Sequence, residues 1–281
     1  MLADPGCDWL DQLDMPPGPP HLRMGLRTLA ADQWLPTDSH TPAELARKAS
    51  LLDQHDDLVQ LDDGWDHAVE ELVGVMEVAL GHRIDRRDAT SAIELLDAAG
   101  RAVPDDLILM ARDDEAWRLI GGSLVFPNQW RLTEKMGGTL AEIHQPVDGY
   151  DTILSDKVDR FFDRLAVNRI VWRRNWFFHD SDEFFQPDRM THATFGDPDR
   201  AATLTVRSEW QTLRRLAFSG VIVFTVKTQV APMTEVAARP TVAAAMARFL
   251  EEGSAVSHAN KDALGRVEPL VEWLRASADS A

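Results

Sequence analysis

Between Pro104 and Pro232 the chain carries five strand-like segments, and their order around an intervening helical stretch limits the folds open to it. Leu107–Met110 and Trp117–Phe126 come first, the second bent at Gly121-Gly122. Helical spacing then takes over: short pieces from Arg131 to Ile143, and an amphipathic helix over Asp151–Leu165 with Ile153, Val158, Phe161, Phe162 and Leu165 inward. Arg169–Phe178, Ala202–Trp210 and Gly220–Thr228 are the remaining strands, with an Asp-, Pro- and Gly-rich loop at Ser181–Asp199. Two strands, helices, then three strands predict an α+β fold.

The flanks read differently. Residues 1–40 form an extended arm, because Pro16-Pro17-Gly18-Pro19-Pro20 cannot make a regular helix. Residues 41–103 form a helical extension. Thr41-Pro42 starts a helix, with Thr41 as its cap. A second helix runs from Gly64 to Gly81 and a third from Ala89 to Ala99. Residues 104–232 are the core, and 233–281 close the chain with helices near Val242–Glu252 and Leu264–Arg275.

A net charge of −17 argues against a nucleic-acid partner, since phosphates need a basic face. The clusters at Arg169–Arg174 and Arg207–Arg215 are short, and read either as pocket-lining or partner-pairing groups or as solvated surface. No apolar run reaches the ~20 residues a membrane span needs. The N-terminus lacks the apolar region of a secretory signal, and Cys7 is the only cysteine, so the expected location is cytoplasmic. A haem iron in this chain would be held by histidine. Of nine histidines, His144 stands out: it ends a short helical pattern that Pro146 and Gly149 stop. A structural histidine at a helix end is the plain alternative. His179 is the second candidate, as ligand or distal group.

The segment from Phe126 to Tyr150 (Phe-Pro-Asn-Gln-Trp-Arg-Leu-Thr-Glu-Lys-Met-Gly-Gly-Thr-Leu-Ala-Glu-Ile-His-Gln-Pro-Val-Asp-Gly-Tyr), Arg174-Asn175-Trp176, and Arg207-Ser-Glu-Trp-Gln-Thr-Leu together resemble the haem-binding α subunit of the haem-dependent oxidative N-demethylases. The resemblance is strong from Asp105 to Pro232. It implies a PAS-like antiparallel five-stranded sheet with short helices, extended here by N- and C-terminal helices. It implies haem b bound through His144, with Trp130, Trp176 and Tyr150 beside the cofactor. It further implies oxygen-dependent demethylation of a small secondary amine such as dimethylamine. Electrons would come from NADPH through partner subunits carrying flavin and iron–sulfur groups. A haem-based gas sensor and a haem-free structural or binding subunit are the rival readings.

Within that resemblance, Arg174, Arg207 and Glu209 are the candidate catalytic side chains. Strand alternation puts Arg174 and Trp176 on one face and Asn175 on the other. Arg174 stands either over the distal face of the haem, at a propionate, or on the surface beside a core tryptophan. Arg207 and Glu209 share a face. Glu209 either receives a substrate ammonium or forms a structural pair with Arg207. Trp130 is either core or stacked at the haem edge, and Tyr150 either donates into the pocket or packs a turn. Lys135 is expected from the family, with a salt bridge to a carboxylate as its plain reading. This sequence departs from the family pattern at Trp210, where an arginine is expected, and at Asp148, where a proline is expected.

Overall fold

The computed structural model describes residues 5–20, 23–86, 88–144 and 154–280. Its centre is one antiparallel sheet of seven strands: β1 (Arg27–Leu29), β2 (Val59–Leu61), β3 (Asp106–Arg112), β4 (Trp117–Ser123), β5 (Ile170–His179), β6 (Thr205–Arg215) and β7 (Ile222–Pro232). The order across the sheet is β1-β5-β6-β7-β3-β4-β2. The expectation of five strands is therefore corrected to seven. The five sequence-predicted strands sit together in the middle, and a three-residue strand extends each edge. The arm and the helical extension each supply one of those edge strands, which cover backbone groups that would otherwise face solvent.

The strands β6 and β7 run several residues beyond their sequence-predicted ends. Arg214 and Arg215 masked the alternation. Arg214 lies over the Trp34 ring, and Arg215 lies over Trp117 while donating to the Phe162 carbonyl, so both are packed despite their charge.

Gly121 and Gly122 sit where β4 is squeezed between β2 and β3. A Cβ on Gly122 would lie 2.5 Å from the Leu107 carbonyl oxygen, and one on Gly121 would lie 2.8 Å from that of Gln60. The register of β3 against β4 shifts at Leu109/Met110, beside this pair.

Alternation divides the sheet into two faces, and both are covered. On the back face, α1 (Thr41–Leu52), α2 (Asp66–Leu80) and α3 (Ala92–Ala102) pack Leu72, Met76 and Leu96 against Leu107, Leu109 and Val223. The other end of the back face meets a 3₁₀ helix at Pro5–Gln12 and the C-terminal helices α7 (Met233–Ala237), α8 (Pro240–Glu251) and α10 (Val267–Asp279). The arm is thus partly helical and docked: Trp9, Leu10 and Leu13 join Trp176, Val206 and Met246. Thr41 is the first helical residue of α1 and not its cap; Asp38 Oδ1 accepts from the backbone N–H groups of His40 and Thr41.

Among the described residues, three short helices between β4 and β5 cover the front face: α4 (Leu132–Lys135), α5 (Leu140–His144) and α6 (Ser155–Arg164). Leu132, Leu140 and Phe162 cover Ile108, Met110, Leu213 and Ile222. The remaining helix, α9 (Ala255–Ala259), leads into a loop along the open edge of β5, where Phe178 N–H donates to the Lys261 carbonyl. Among the described residues no helix is long and apolar enough to cross a membrane.

Candidate functional site

His144 is placed on the front face by a short, well-anchored helix. Thr139 and Glu142 form reciprocal bonds at the start of α5: Glu142 N–H donates to Thr139 Oγ1 at 3.3 Å, and Thr139 N–H donates to Glu142 Oε2 at 2.8 Å. At the other end Lys135 Nζ donates to the Ile143 carbonyl at 2.6 Å, so its partner is a carbonyl and not a carboxylate. The His144 ring lies 2.8 Å through Nδ1 from the Leu140 carbonyl. A carbonyl can only accept, so Nδ1 carries the proton and the lone pair is on Nε2. Burial holds the imidazole below its ordinary pKa. The charges of Arg173 and Lys135 push the same way, against the bond to Leu140. The side chain is therefore a neutral imidazole with its tautomer fixed, the state in which histidine binds a metal. Residues 145–153, which follow it and include Asp148 and Tyr150, lie outside the described residues.

The strand register lays out what faces this corner. On the front face, Val226, Gln211 and Arg173 stand in one cross-strand row, and Thr228, Glu209 and Asn175 in the next. Phe224, Val226, Glu209, Gln211, Arg173 and Asn175 are all half-buried, unlike the apolar row under α4–α6. Gln211 Nε2 donates to Glu209 Oε2 at 2.8 Å, and Lys261 Nζ donates to Asn175 Oδ1 at 2.9 Å. Burial lowers the Arg173 pKa, with Glu209 acting against it, and this guanidinium has no hydrogen bond or ion pair among the described residues. Burial, with Arg173 next, pushes the Lys261 ammonium down to about 7.

The sequence-predicted site residues divide between the two faces. His144 and Glu209 come together on the front. Arg207 also points there by alternation, but it is fully buried and committed to the backbone. It donates to the carbonyls of Phe126 (2.7 Å), Phe184 (3.1 Å), Pro127 (3.2 Å) and Glu183 (3.3 Å), and it makes no ion pair with Glu209. Trp130 is half-buried against the apolar cluster beneath α4–α6. Arg174 and Trp176 are on the back face, separated from His144 by the sheet. Arg174 donates to Gln229 Oε1 at 2.6 Å and Ser208 Oγ at 3.0 Å, lies over the Trp9 and Trp210 rings, and is pushed down to about 10 by burial. Trp176 is core, edge-on to Phe178 and Phe249. Trp210, the departure from the family pattern, also belongs to the back face and stacks on Trp172 at 4.1 Å, so it leaves the front-face charges untouched.

Sequence reasoning missed Gln211 and Lys261, and took Arg173 only as part of the Arg169–Arg174 cluster, read as pocket-lining or partner-pairing groups or as solvated surface. Arg173 and Gln211 carry the signal that placed Asn175 and Glu209, the period of two along β5 and β6. Lys261 had no local signal, because its place depends on the C-terminal loop returning to the β5 edge.

His179 is buried against Asp262 at 3.5 Å and ring-to-ring with His192 at 5.6 Å, at the loop–C-terminus junction. Among the described residues no group of three or more His, Cys, Asp or Glu side chains is arranged to hold a metal ion. Two cavities of about 210 and 10 Å³ lie among the described residues, and neither is lined by His144, Arg173 or Glu209.

No curated protein matches this chain. The sequence model of the family described as haem-dependent oxidative N-demethylase, alpha subunit-like, matches residues 75–268, more than two thirds of the chain and all of the front-face residues named above.

Proposed function

The chain belongs to the haem-dependent oxidative N-demethylase, alpha subunit-like family, and on that premise we propose that it is the haem-binding catalytic subunit of an oxidative N-demethylase. The substrate is a small secondary amine of the dimethylamine type, and the products are formaldehyde and the demethylated amine. Electrons come from NADPH through partner subunits with flavin and iron–sulfur groups, in the cytoplasm. The order β5-β6-β7-β3-β4 within the sheet supports a PAS-like core at residues 104–232, with helices α4–α6 on the ligand-binding face.

The carrying observation is His144, tied through Nδ1, on the same face as Arg173 and Glu209, neither of which forms an ion pair among the described residues. That set fits haem b: an imidazole nitrogen for the iron, apolar Phe224 and Val226 for the macrocycle, and cationic groups at its border. Haem, when bound, supplies the one-electron and dioxygen chemistry. The chain supplies the rest. His144 Nε2 would hold the cofactor, and Lys135 anchors the end of α5 that carries it through the Ile143 carbonyl. Glu209, steadied at Oε2 by Gln211, offers Oε1 to the N–H of the amine. Phe224 and Val226 keep water from the reacting methyl group.

The purified protein is expected to show a Soret band that His144→Ala removes, and to release formaldehyde from dimethylamine with NADPH and the partner subunits. Colourless protein that haemin cannot reconstitute, or a His144→Ala variant with unchanged haem absorption and affinity, would refute this assignment.

A further inference from the structure

Among the described residues, the front face carries two cationic side chains that form no ion pair, Arg173 and Lys261. Arg173 and Lys261 border it from β5 and from the C-terminal loop. Each nearby acid among the described residues has another partner. Glu209 is held by Gln211 at 2.8 Å, and Asp106, in the same row as Val226, Gln211 and Arg173, lies 3.7 Å from Lys48 and accepts from the Val125 and Phe126 N–H groups. Asp14 lies 2.7 Å from Arg23 and 3.2 Å from Arg27. Asp262 is divided between His179 and His192, at 3.5 Å each. Arg173 has no hydrogen bond or ion pair among the described residues, only the longer-range charges of Glu209 and Asp14, and Lys261 donates to the Asn175 amide oxygen and lies over the faces of Trp176 and Phe177. Among the described residues, a full pairing of Glu209 with one cation would leave the other without an ion pair. Two desolvated basic side chains without an ion pair favour a ligand that brings an anion, and a guanidinium fork matches a carboxylate in shape and charge.

We propose that Arg173 and Lys261 form a carboxylate-binding pair, and that the occupant of the front face presents a carboxylate to them. Two sources share this chemistry: a haem propionate, or the carboxylate of an N-methylated amino acid bound with its ammonium on Glu209. The first source rests on the haem reading above; the pair itself rests only on the two basic side chains and their lack of ion pairs among the described residues.

The test uses the full chain, wild type and with Arg173→Gln, Lys261→Met and the charge-keeping Arg173→Lys, each first shown to unfold in urea at the wild-type midpoint. Apo protein is titrated with haemin and with haemin dimethyl ester, following Soret absorbance. If the propionate is the anion, wild type binds haemin at least about tenfold more tightly than the ester, the scale of one charged hydrogen bond. Arg173→Gln and Lys261→Met abolish that difference, and Arg173→Lys keeps part of it. If the anion belongs to the substrate, haemin and ester bind alike. N-methylglycine then shifts the spectrum of the loaded protein at a concentration at least about tenfold lower than dimethylamine does, and Arg173→Gln erases the preference. Wild type with neither preference, or preferences that persist in Arg173→Gln and Lys261→Met, overturns the proposal. Protein that takes up neither porphyrin defeats the haem reading by itself. Calorimetric titration of that apo protein with N-methylglycine then decides the pair: heat that Arg173→Gln abolishes supports it, and no heat or unchanged heat overturns it.

Discussion

Replacing Arg207 by Gln separates a catalytic arginine from a structural one. Its guanidinium is fully buried and reaches four backbone carbonyls from two segments, Phe126-Pro127 and Glu183-Phe184, which it ties to β6. A hydrogen bond to a charged group contributes about 1.5–3 kcal/mol. The bonds at 2.7 and 3.1 Å carry most of the effect, and those at 3.2 and 3.3 Å share the same two nitrogens and add less. Relief of the guanidinium's own desolvation, which lowers its pKa, subtracts from the total. The expected loss is about 2–4 kcal/mol. With a urea m-value near the top of the usual range, about 3 kcal/mol/M, the midpoint falls by roughly 1 M. Urea unfolding followed by tryptophan fluorescence measures this, together with haem affinity and formaldehyde release of the folded fraction. A variant as stable as wild type but without turnover would refute the structural assignment and return Arg207 to the reacting groups.

Gly122→Ala forces a methyl group to 2.5 Å from the Leu107 carbonyl in mid-sheet, so it is expected to cost at least about 1–3 kcal/mol or to prevent folding, whereas Ala at the open Gly74 of α2 gives a soluble, folded control. Lys135→Met removes the bond to the Ile143 carbonyl and should weaken haem binding about fivefold with little change in global stability, as read by Soret titration; an unchanged affinity would mean that α5 needs no such brace. Asp105 is fully buried and its carboxyl is raised to about 7 by desolvation, with Lys227 and Lys48 opposing. Between about pH 4 and 7 the unfolded chain has lost this proton and the folded chain keeps it, so the group's contribution to stability falls as pH rises across that window and is level above it. Asp105→Asn should therefore gain stability relative to wild type between pH 5 and pH 8, and a constant difference would remove Asp105 as the titrating group.

Much of this architecture is legible in local pattern. The five central strands, the helices α1, α2 and α3, and the helical stretch that ends at His144 all follow from apolar spacing and from Gly and Pro punctuation. The edge strands β1 and β2 are not legible, because three residues carry too little alternation and pair only where the sheet edge already exists. The extent of β6 was hidden for another reason: Arg214 and Arg215 read as surface, yet they bury their stems against Trp34 and Trp117.

The site shows the same division. A period of two along β5 determines that Arg174 and Trp176 share one face while Arg173 and Asn175 share the other, and the sequence settles this partition completely. It cannot label the faces, because both sides of this sheet are covered and both carry tryptophans and arginines. The label comes from chain segments far away in sequence. The N-terminal 3₁₀ helix and the C-terminal helices bury Trp176 on the back, which leaves Arg173 opposite the helix that carries His144. Side-chain alternation is a local steric property of the strand, whereas the choice of covered face is a packing free energy summed over the whole fold. The first is written in neighbouring residues, and the second exists only once the chain has closed on itself.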